Sequence, residues 1–497
     1  MNTAHPYAPV LLLTVFLALS ACVSHESATS ESSREHAPNI LFVFSDDQRA
    51  DALGAYGNPY IDTPHLDGLA DTGFNFLQAH VMGSHHGAVC APSRAMLMSG
   101  RNLFRVYDTL DSVRTFPQAL REAGYLTFGT GKWHQSRSSF QKTFSRGGNI
   151  FFGGMSDHFA VPLHDMDANG HFSRAEESGF SSTLFADAAV KFIDDYAASD
   201  TSAPFLAYVS FTTPHDPRTP PASHANRYKG TALPLPPNFK PVHPFNLGQQ
   251  TMTIRDEQLA PWPRTPAVIR AQQAEYYGLI SHMDAQVGRL LEALSRHGLA
   301  ENTIVVFASD NGLALGSHGL LGKQNLYDHS TRVPLIVAGP GIPQGNSAAL
   351  VYLFDLAPTV LGLAGVEGPA GMDGTDLAPL WKGEQDAVRT LLMTAYRGTQ
   401  RAVQDGRWKL IHYPLLDHSQ LFDLQEDPYE LDNLATDSTH RARRIALMDS
   451  MRALQQRFGD PHPLDPQQQA SMVFDHSDVE RSPDRHQPAS IVQKYFR

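Results

Sequence analysis

Cys90-Ala91-Pro92-Ser93-Arg94-Ala95-Met96-Leu97-Met98-Ser99-Gly100-Arg101 is the stretch around which the rest of the chain can be read. Pro92 suits the first turn of a helix, where a missing N–H costs nothing. Met96, Leu97 and Ser99-Gly100 then give about two turns ended by glycine. Cys90 falls just before the helix N-terminus, where free N–H groups and the macrodipole favour an anion. That position lowers a thiol's pKa and would cradle a sulfate or phosphate. On spacing alone, the same cysteine reads equally as a small apolar residue buried beneath a helix.

With 497 residues, 42% hydrophobic and 18% charged, the chain can hold one large α/β domain and a smaller one. A net charge of −12 speaks against nucleic acid as a partner, so any anion site must gather its cations locally. Residues 1–22 read as a lipoprotein signal peptide. The apolar run Val10–Ala21 is too short to span a bilayer. It ends in Leu19-Ser20-Ala21-Cys22, which resembles a bacterial lipobox with Cys22 as the lipidated residue, although no Lys or Arg precedes it. An ordinary secretory signal is the other reading. The expected location is the periplasm or outer membrane of a Gram-negative-type bacterium, with the lipid anchor as the sole membrane contact. Residues 23–37 are polar and Ser/Glu-rich, a flexible tether. Of the two cysteines, lipidation of Cys22 leaves Cys90 alone, so no disulfide is possible. A lone thiol in an oxidising compartment is a liability unless it is buried or chemically changed.

Ile40–Ser45, Tyr125–Thr130, Phe205–Phe211, Thr303–Ser309 and Val333–Ala338 are short apolar runs bounded by turn signals, predicted as buried parallel strands. Helical patterns alternate with them: one from Thr63-Pro64 to Gly73 with Thr63 as cap, one over 181–198, and one over 267–298. The alternation predicts a large doubly wound mixed sheet flanked by helices, with its site beyond the strands' C-terminal ends. That catalytic domain is placed at 38–385. Twelve prolines from Pro214 to Pro266 mark a long loop, read as covering the substrate entrance. Over 386–460, Leu391–Tyr396, Arg401–Gln404, Trp408–Tyr413 and Leu421–Leu424 read as antiparallel strands with a hairpin turn at Asp405-Gly406, followed by a helix over 439–458. They form a smaller α+β subdomain. Residues 461–497 are a polar tail.

Four strand ends arrive carrying polar residues. Asp46-Asp47 and Asp310-Asn311 offer three carboxylates and one amide oxygen, a hard-oxygen set suited to Ca²⁺ or Mg²⁺ and wrong for zinc. Taken singly, each pair is also an ordinary solvated turn. Arg94 lies four residues beyond Cys90 on the same helix face, and its fork suits an oxyanion. Lys132 and His134 straddle Trp133, so both can face one side. His215 follows Thr212-Thr213-Pro214, and Lys323 sits in Gly322-Lys323-Gln324.

Cys-x-Pro-Ser-Arg, the small helix with Ser-Gly-Arg, and Gly131-Lys132-Trp133-His134 are similar to the signature of type I sulfatases, of the alkaline phosphatase-like superfamily. The resemblance spans roughly 39 to 458. It implies that Cys90 is converted to formylglycine by a formylglycine-generating enzyme. It makes Asp46, Asp47, Asp310, Asn311 and residue 90 the ligands of Ca²⁺, with Mg²⁺ as alternative. Arg94 would stabilise the hydrated formylglycine. Lys132 would contact sulfate and nucleophile, and Lys323 the bridging oxygen. His215 would protonate the leaving alcohol, and His134 would act as the base that expels sulfate. The implied reaction is hydrolysis of a sulfuric ester, with a sulfated carbohydrate such as an ulvan or carrageenan fragment as the expected substrate. His85, His86, His158, His164 and Asp165 are candidate contacts to the sugar. Two alternatives remain at this stage: a phosphodiesterase or phosphonate monoester hydrolase on the same nucleophile and metal, and a non-catalytic lipoprotein that binds sulfated glycans.

Overall fold

The computed structural model describes residues 37–106, 109–175, 178–465 and 470–496. The signal-like run, Cys22 and the tether up to residue 36 lie outside the described residues. Four apolar strands, β1 (Asn39–Ser45), β2 (Leu126–Lys132), β3 (Phe205–Ser210) and β4 (Thr303–Ser309), lie side by side in the order β4-β1-β3-β2, all parallel. β1, β3 and β4 are buried at every position. Continuous apolar runs of this kind are what a sheet covered on both faces demands. Alternation along β1 splits its side chains between two cores. Leu41 and Val43 join Val209, Phe307, Phe185, Ile193, Met283 and Val287 on one face. Phe42 and Phe44 meet Tyr208 on the other, where Phe42 also packs on Phe116.

Helices α1 (Pro64–Thr72), α3 (Ser181–Ala197) and α4 (Pro266–Arg296) supply the first face, and α2 (Cys90–Ser99) lies across the second. Thr63 does not cap α1 as expected. Its hydroxyl accepts from Gly54 N and donates to Asp67. The free N–H groups of His65 and Leu66 go instead to the carboxylate of Asp284 on α4, at 3.2 and 2.7 Å. A charged acceptor from a neighbouring helix satisfies the orphan donors better than one hydroxyl.

Among the described residues the sheet has ten strands. β5 (Leu335–Ala338) runs antiparallel to β4, pairing Val305 with Ala338, and so departs from the parallel arrangement expected for Val333–Ala338. Between β4 and β5 the chain stays at the C-terminal edge of the sheet. Without a crossover helix to carry it to the other end, the next strand must run back. Arg332–Val333 pairs separately with Ala79–His80. Towards the C-terminus, β6 (Leu392–Tyr396), β7 (Gln400–Gln404), β8 (Trp408–Tyr413) and β9 (His418–Asp423) form an antiparallel sheet under α5 (Arg441–Phe458). Asp405 and Gly406 make the β7–β8 turn, with Gly406 at φ 92° and the Asp405 carboxylate accepting from Arg407 N and Trp408 N. Gly83–Ser84, three hundred residues earlier in the chain, adds a parallel edge strand to β6. No helix among the described residues is long and apolar enough to cross a membrane.

Candidate active site

Because β1–β4 are parallel, their C-terminal ends deliver four polar segments to one edge. Asp46-Asp47 leave β1, Asp310-Asn311 leave β4, Thr212–His215 leave β3, and Lys132–His134 close β2. The turns are tight. Asp46 N donates to Thr213 O at 3.1 Å, Asp310 N to Ser45 O at 3.2 Å, and Asp47 N to Asp310 Oδ1 at 3.0 Å. Asp47 (φ 69°) and His134 (φ 57°) hold left-handed backbone, a strained conformation for residues with a side chain. Gly131 is at φ 83°, and a Cβ there would lie 1.9 Å from Ser210 O, so only glycine lets β2 approach β3.

Cys90 opens α2 and is a buried free thiol. Lys323 Nζ lies 3.0 Å from its Sγ and bonds both carboxylate oxygens of Asp47, at 2.6 and 2.8 Å. The expected lowering of the thiol pKa is reversed among the protein groups. Burial and the carboxylates of Asp310 and Asp46 push it well up, outweighing Lys132 and Lys323. Arg94 reaches back as its spacing predicts. Its Nε donates to Asp310 Oδ2 at 2.9 Å, and Nη1 donates to Lys132 O and Ser210 Oγ. Lys132 Nζ pairs with Asp46 Oδ2 at 2.5 Å. Burial raises the Asp46 carboxyl, but Lys132, His215 and Arg94 overcome it and leave it below the usual range; burial and Asp46 hold Asp310 above it.

Asp46, Asp47, Asp310 and Asn311 thus converge beside Cys90. Asp46 Oδ1 and Asn311 Oδ1 are buried without a hydrogen-bond partner, and Asn311 Nδ2 donates to Asp47 Oδ1 at 2.7 Å. Unpaired buried oxygens are costly unless something positive meets them. The donor set of carboxylate and amide oxygens therefore fits a hard divalent cation. Donor atoms of Asp46, Asp47, Cys90 and His215 all lie within 4.8 Å of one another. A second cluster of His318, His329 and Glu430 meets the same distance, but Lys409 Nζ at 2.7 Å from Glu430 Oε1 already supplies its positive charge.

His215 Nε2 lies 3.7 Å from Asp47 Oδ2, and its Nδ1 is 2.8 Å from Asp216 O. That bond assigns the proton to Nδ1 and leaves Nε2 free to exchange one. His134 is kept neutral by burial and by the nearby cations Lys132, Arg94 and Lys323, and its Nδ1 has no partner. Cys90, His134, His215 and Lys323 line a cavity of about 600 Å³ whose apolar wall includes Phe151, Phe152 and Ile254.

Of the expected sugar contacts, His164 lines this cavity. His85, His86, His158 and Asp165 are not among its walls. His85 bonds Leu103 O at 2.6 Å and packs on Phe104, and Asp165 accepts from Asn149 N. His158 is 1% exposed. Its ring contacts Ser181, Thr212 and the carbonyl of His215 at 2.9 Å, so it buttresses the loop that carries His215. The Pro-rich loop does reach the cavity, through Ile254, Arg255 and Asp256. Sequence reasoning missed Gln324, which bonds Asp256 at 2.7 Å, and Arg485-His486, which line the cavity from the tail. Gln324 adjoins a motif and was in reach. Nothing local marks Arg485-His486.

The sequence model of the Sulfatase family matches residues 38–366, and that of the N-sulphoglucosamine sulphohydrolase C-terminal region matches 316–457. The chain belongs to the sulfatase family and is a sulfatase, an enzyme that hydrolyses sulfate esters. Among its relatives, an N-acetylglucosamine-6-O-sulfatase of Bacteroides thetaiotaomicron is 26% identical, covering 93% of each chain. An ulvan-active sulfatase of Formosa agariphila is 29% identical over 86% of this chain and 82% of its own. The fold is shared with a solved structure in complex with its substrate D-glucosamine-2-N,6-O-disulfate (TM-score 0.72, 23% identity, 86% of this chain and 99% of that one). It is also shared with a phosphonate monoester hydrolase of Agrobacterium radiobacter (TM-score 0.69, 22% identity, 85% and 96%).

Proposed function

We propose that this sulfatase releases inorganic sulfate from a sulfated carbohydrate, using Ca²⁺ and a formylglycine made from Cys90 by a formylglycine-generating enzyme. The observation that carries the reading is the pair of buried oxygens on Asp46 and Asn311 that lack a hydrogen bond, set beside Cys90 and Lys323, with Arg94 Nη2 3.8 Å from Asp46 Oδ1. Asp46, Asp47, Asp310 and Asn311 would hold the metal. Bound there, the metal and the modified residue would supply an acidified aldehyde hydrate as nucleophile and a Lewis acid for the sulfuryl oxygens.

The chain's own groups do the rest. Arg94, Lys132 and Lys323 match the charge of Asp46, Asp47 and Asp310. A divalent ion therefore leaves the site net positive and attractive to a sulfate ester, despite the chain's −12. Lys323 and Lys132 stabilise charge on the transferring group. His215 Nε2 gives a proton to the departing alcohol. His134, neutral at rest, takes a proton in the step that frees sulfate.

A sulfated carbohydrate accords with an N-acetylglucosamine-6-O-sulfatase and an ulvan-active sulfatase among the relatives, and with the glucosamine disulfate held by a protein of the same fold. Free sulfate released from a panel of sulfated oligosaccharides tests the substrate class; silence across the panel would sink it. Parallel kinetics on an aryl sulfate and an aryl phosphate diester separate a sulfatase acting on sulfate from the phosphonate monoester hydrolase chemistry of a protein that shares its fold. Anchoring through Cys22 in the periplasm or outer membrane completes the proposal, resting on the run before Cys22 and tested by the mass of the mature N-terminal peptide.

A further inference from the structure

The polar tail returns to the cavity. After α5 it is tied down at successive points. Asn246 N donates to Met472 O, Arg481 Nε to Gln258 O, and Arg255 Nε to Asp484 Oδ2 at 2.7 Å. Gln487 Nε2 bonds Asp216 Oδ2 at 2.9 Å, and a last helix, Ala489–Tyr495, docks on α4 through Lys494 and Tyr495 to Glu275. Between Asp484 and Gln487 this held strap presents Arg485 and His486 to the cavity that contains Cys90.

The other cations of the cavity wall are already committed. Lys323 serves Asp47, and Arg255 bridges Asp216, Asp256 and Asp484. Among the described residues no carboxylate pairs with Arg485. Its Nε donates to His486 Nε2 at 3.0 Å. That bond aims the guanidinium, and among the described residues neither terminal nitrogen has a hydrogen-bond partner. The bond also makes His486 Nε2 an acceptor, so the neutral imidazole holds the guanidinium in place. A planar two-nitrogen fork is the geometry that takes an oxyanion in bidentate fashion.

We propose that Arg485, oriented by His486, forms a subsite for a second anionic substituent, a sulfate or a carboxylate, on the sugar whose sulfate ester is cleaved. The inference rests on the carbohydrate reading and extends it to substrates with at least two negative groups. The test is calorimetric binding to the Cys90→Ala protein, which cannot turn its ligands over. The ligands are a monosulfated hexosamine, the same hexosamine with a second sulfate, and a monosulfated disaccharide with a uronate carboxylate. The second charge is expected to tighten binding, and whichever of the two does so names the group. Arg485→Ala should remove that gain, weakening the doubly charged ligand about 10- to 100-fold while the monosulfated one changes less than about twofold. Arg485→Lys, which keeps the charge without the fork, should fall between. Equal weakening of both ligands, or no preference for the second charge, overturns the subsite and leaves the carbohydrate reading standing. If none of the three binds while the unaltered enzyme still cleaves an aryl sulfate, both fall.

Discussion

Single side chains at the sheet's edge decide the chemistry, and their substitution separates chemistry from folding. Cys90→Ala removes the one thiol of the described chain and is expected to abolish sulfate release. Unfolding free energy should change by no more than about 1 kcal/mol, because one sulfur is lost from a buried site. Retained turnover would refute the role of residue 90. Lys323→Met leaves Asp47 without the ammonium 2.6 Å away and should lower kcat by about 10²–10³. His158 acts at one remove. Burial lowers its pKa to about 4, below the ordinary 6.5, so the folded state favours the neutral ring. Its contribution to stability is therefore fully present above pH 6.5 and is lost as pH falls towards 4. His158→Phe should flatten the stability–pH curve in that window and also lower kcat, since the His215 carbonyl loses its donor. Unchanged acid stability by thermal melts would contradict this.

Elements carry a second kind of argument. The α1 N-terminus borrows its acceptor from Asp284 on α4, two hundred residues away. Burial raises that carboxyl to about 6 against its two backbone donors. The folded state therefore holds a proton that the unfolded chain releases near pH 4. The stability this confers is full below pH 4 and gone once pH passes about 6. Asp284→Ala should cost about 1–2 kcal/mol at neutral pH by exposing two orphan N–H groups. Asp284→Asn keeps an acceptor, should cost less, and should erase the pH dependence measured by urea unfolding. The elements themselves were largely legible: β1, β3, β4, α3, α4 and the C-terminal hairpins fall where apolar periodicity puts them. The direction of β5 and the cap of α1 were not, because pairing partners and acceptors come from segments that no local window contains.

For the molecule as a whole, four chain segments meet at one site, so ligand binding there is coupled to global stability. Treatment with a chelator should abolish activity and lower the melting temperature. Adding back Ca²⁺ should restore both, with a gain of about 2.7 kcal/mol at a hundredfold excess over Kd. Mg²⁺ added alone, at matched concentration, tests which ion the oxygen cage prefers. A melting curve indifferent to chelator and to both ions would argue against the cage. The same long-range design brings the tail across the Pro-rich loop and onto α4, and puts Arg485 and His486 in the cavity wall.

By itself, the sequence marked the candidate ligand set and the candidate nucleophile that the fold brings together. Asp46-Asp47, Cys90–Arg94, Lys132–His134 and Asp310-Asn311 are short motifs at the ends of apolar strands, and parallel strands bring such ends to one edge. Tertiary structure alone decided that His158 supports a loop rather than meeting the cavity, that β5 turns back, and that Arg485 and His486 face the site. The physical reason is distance along the chain: each of those outcomes is set by hydrogen bonds and charges between segments far apart, which leave no periodicity and no spacing to read.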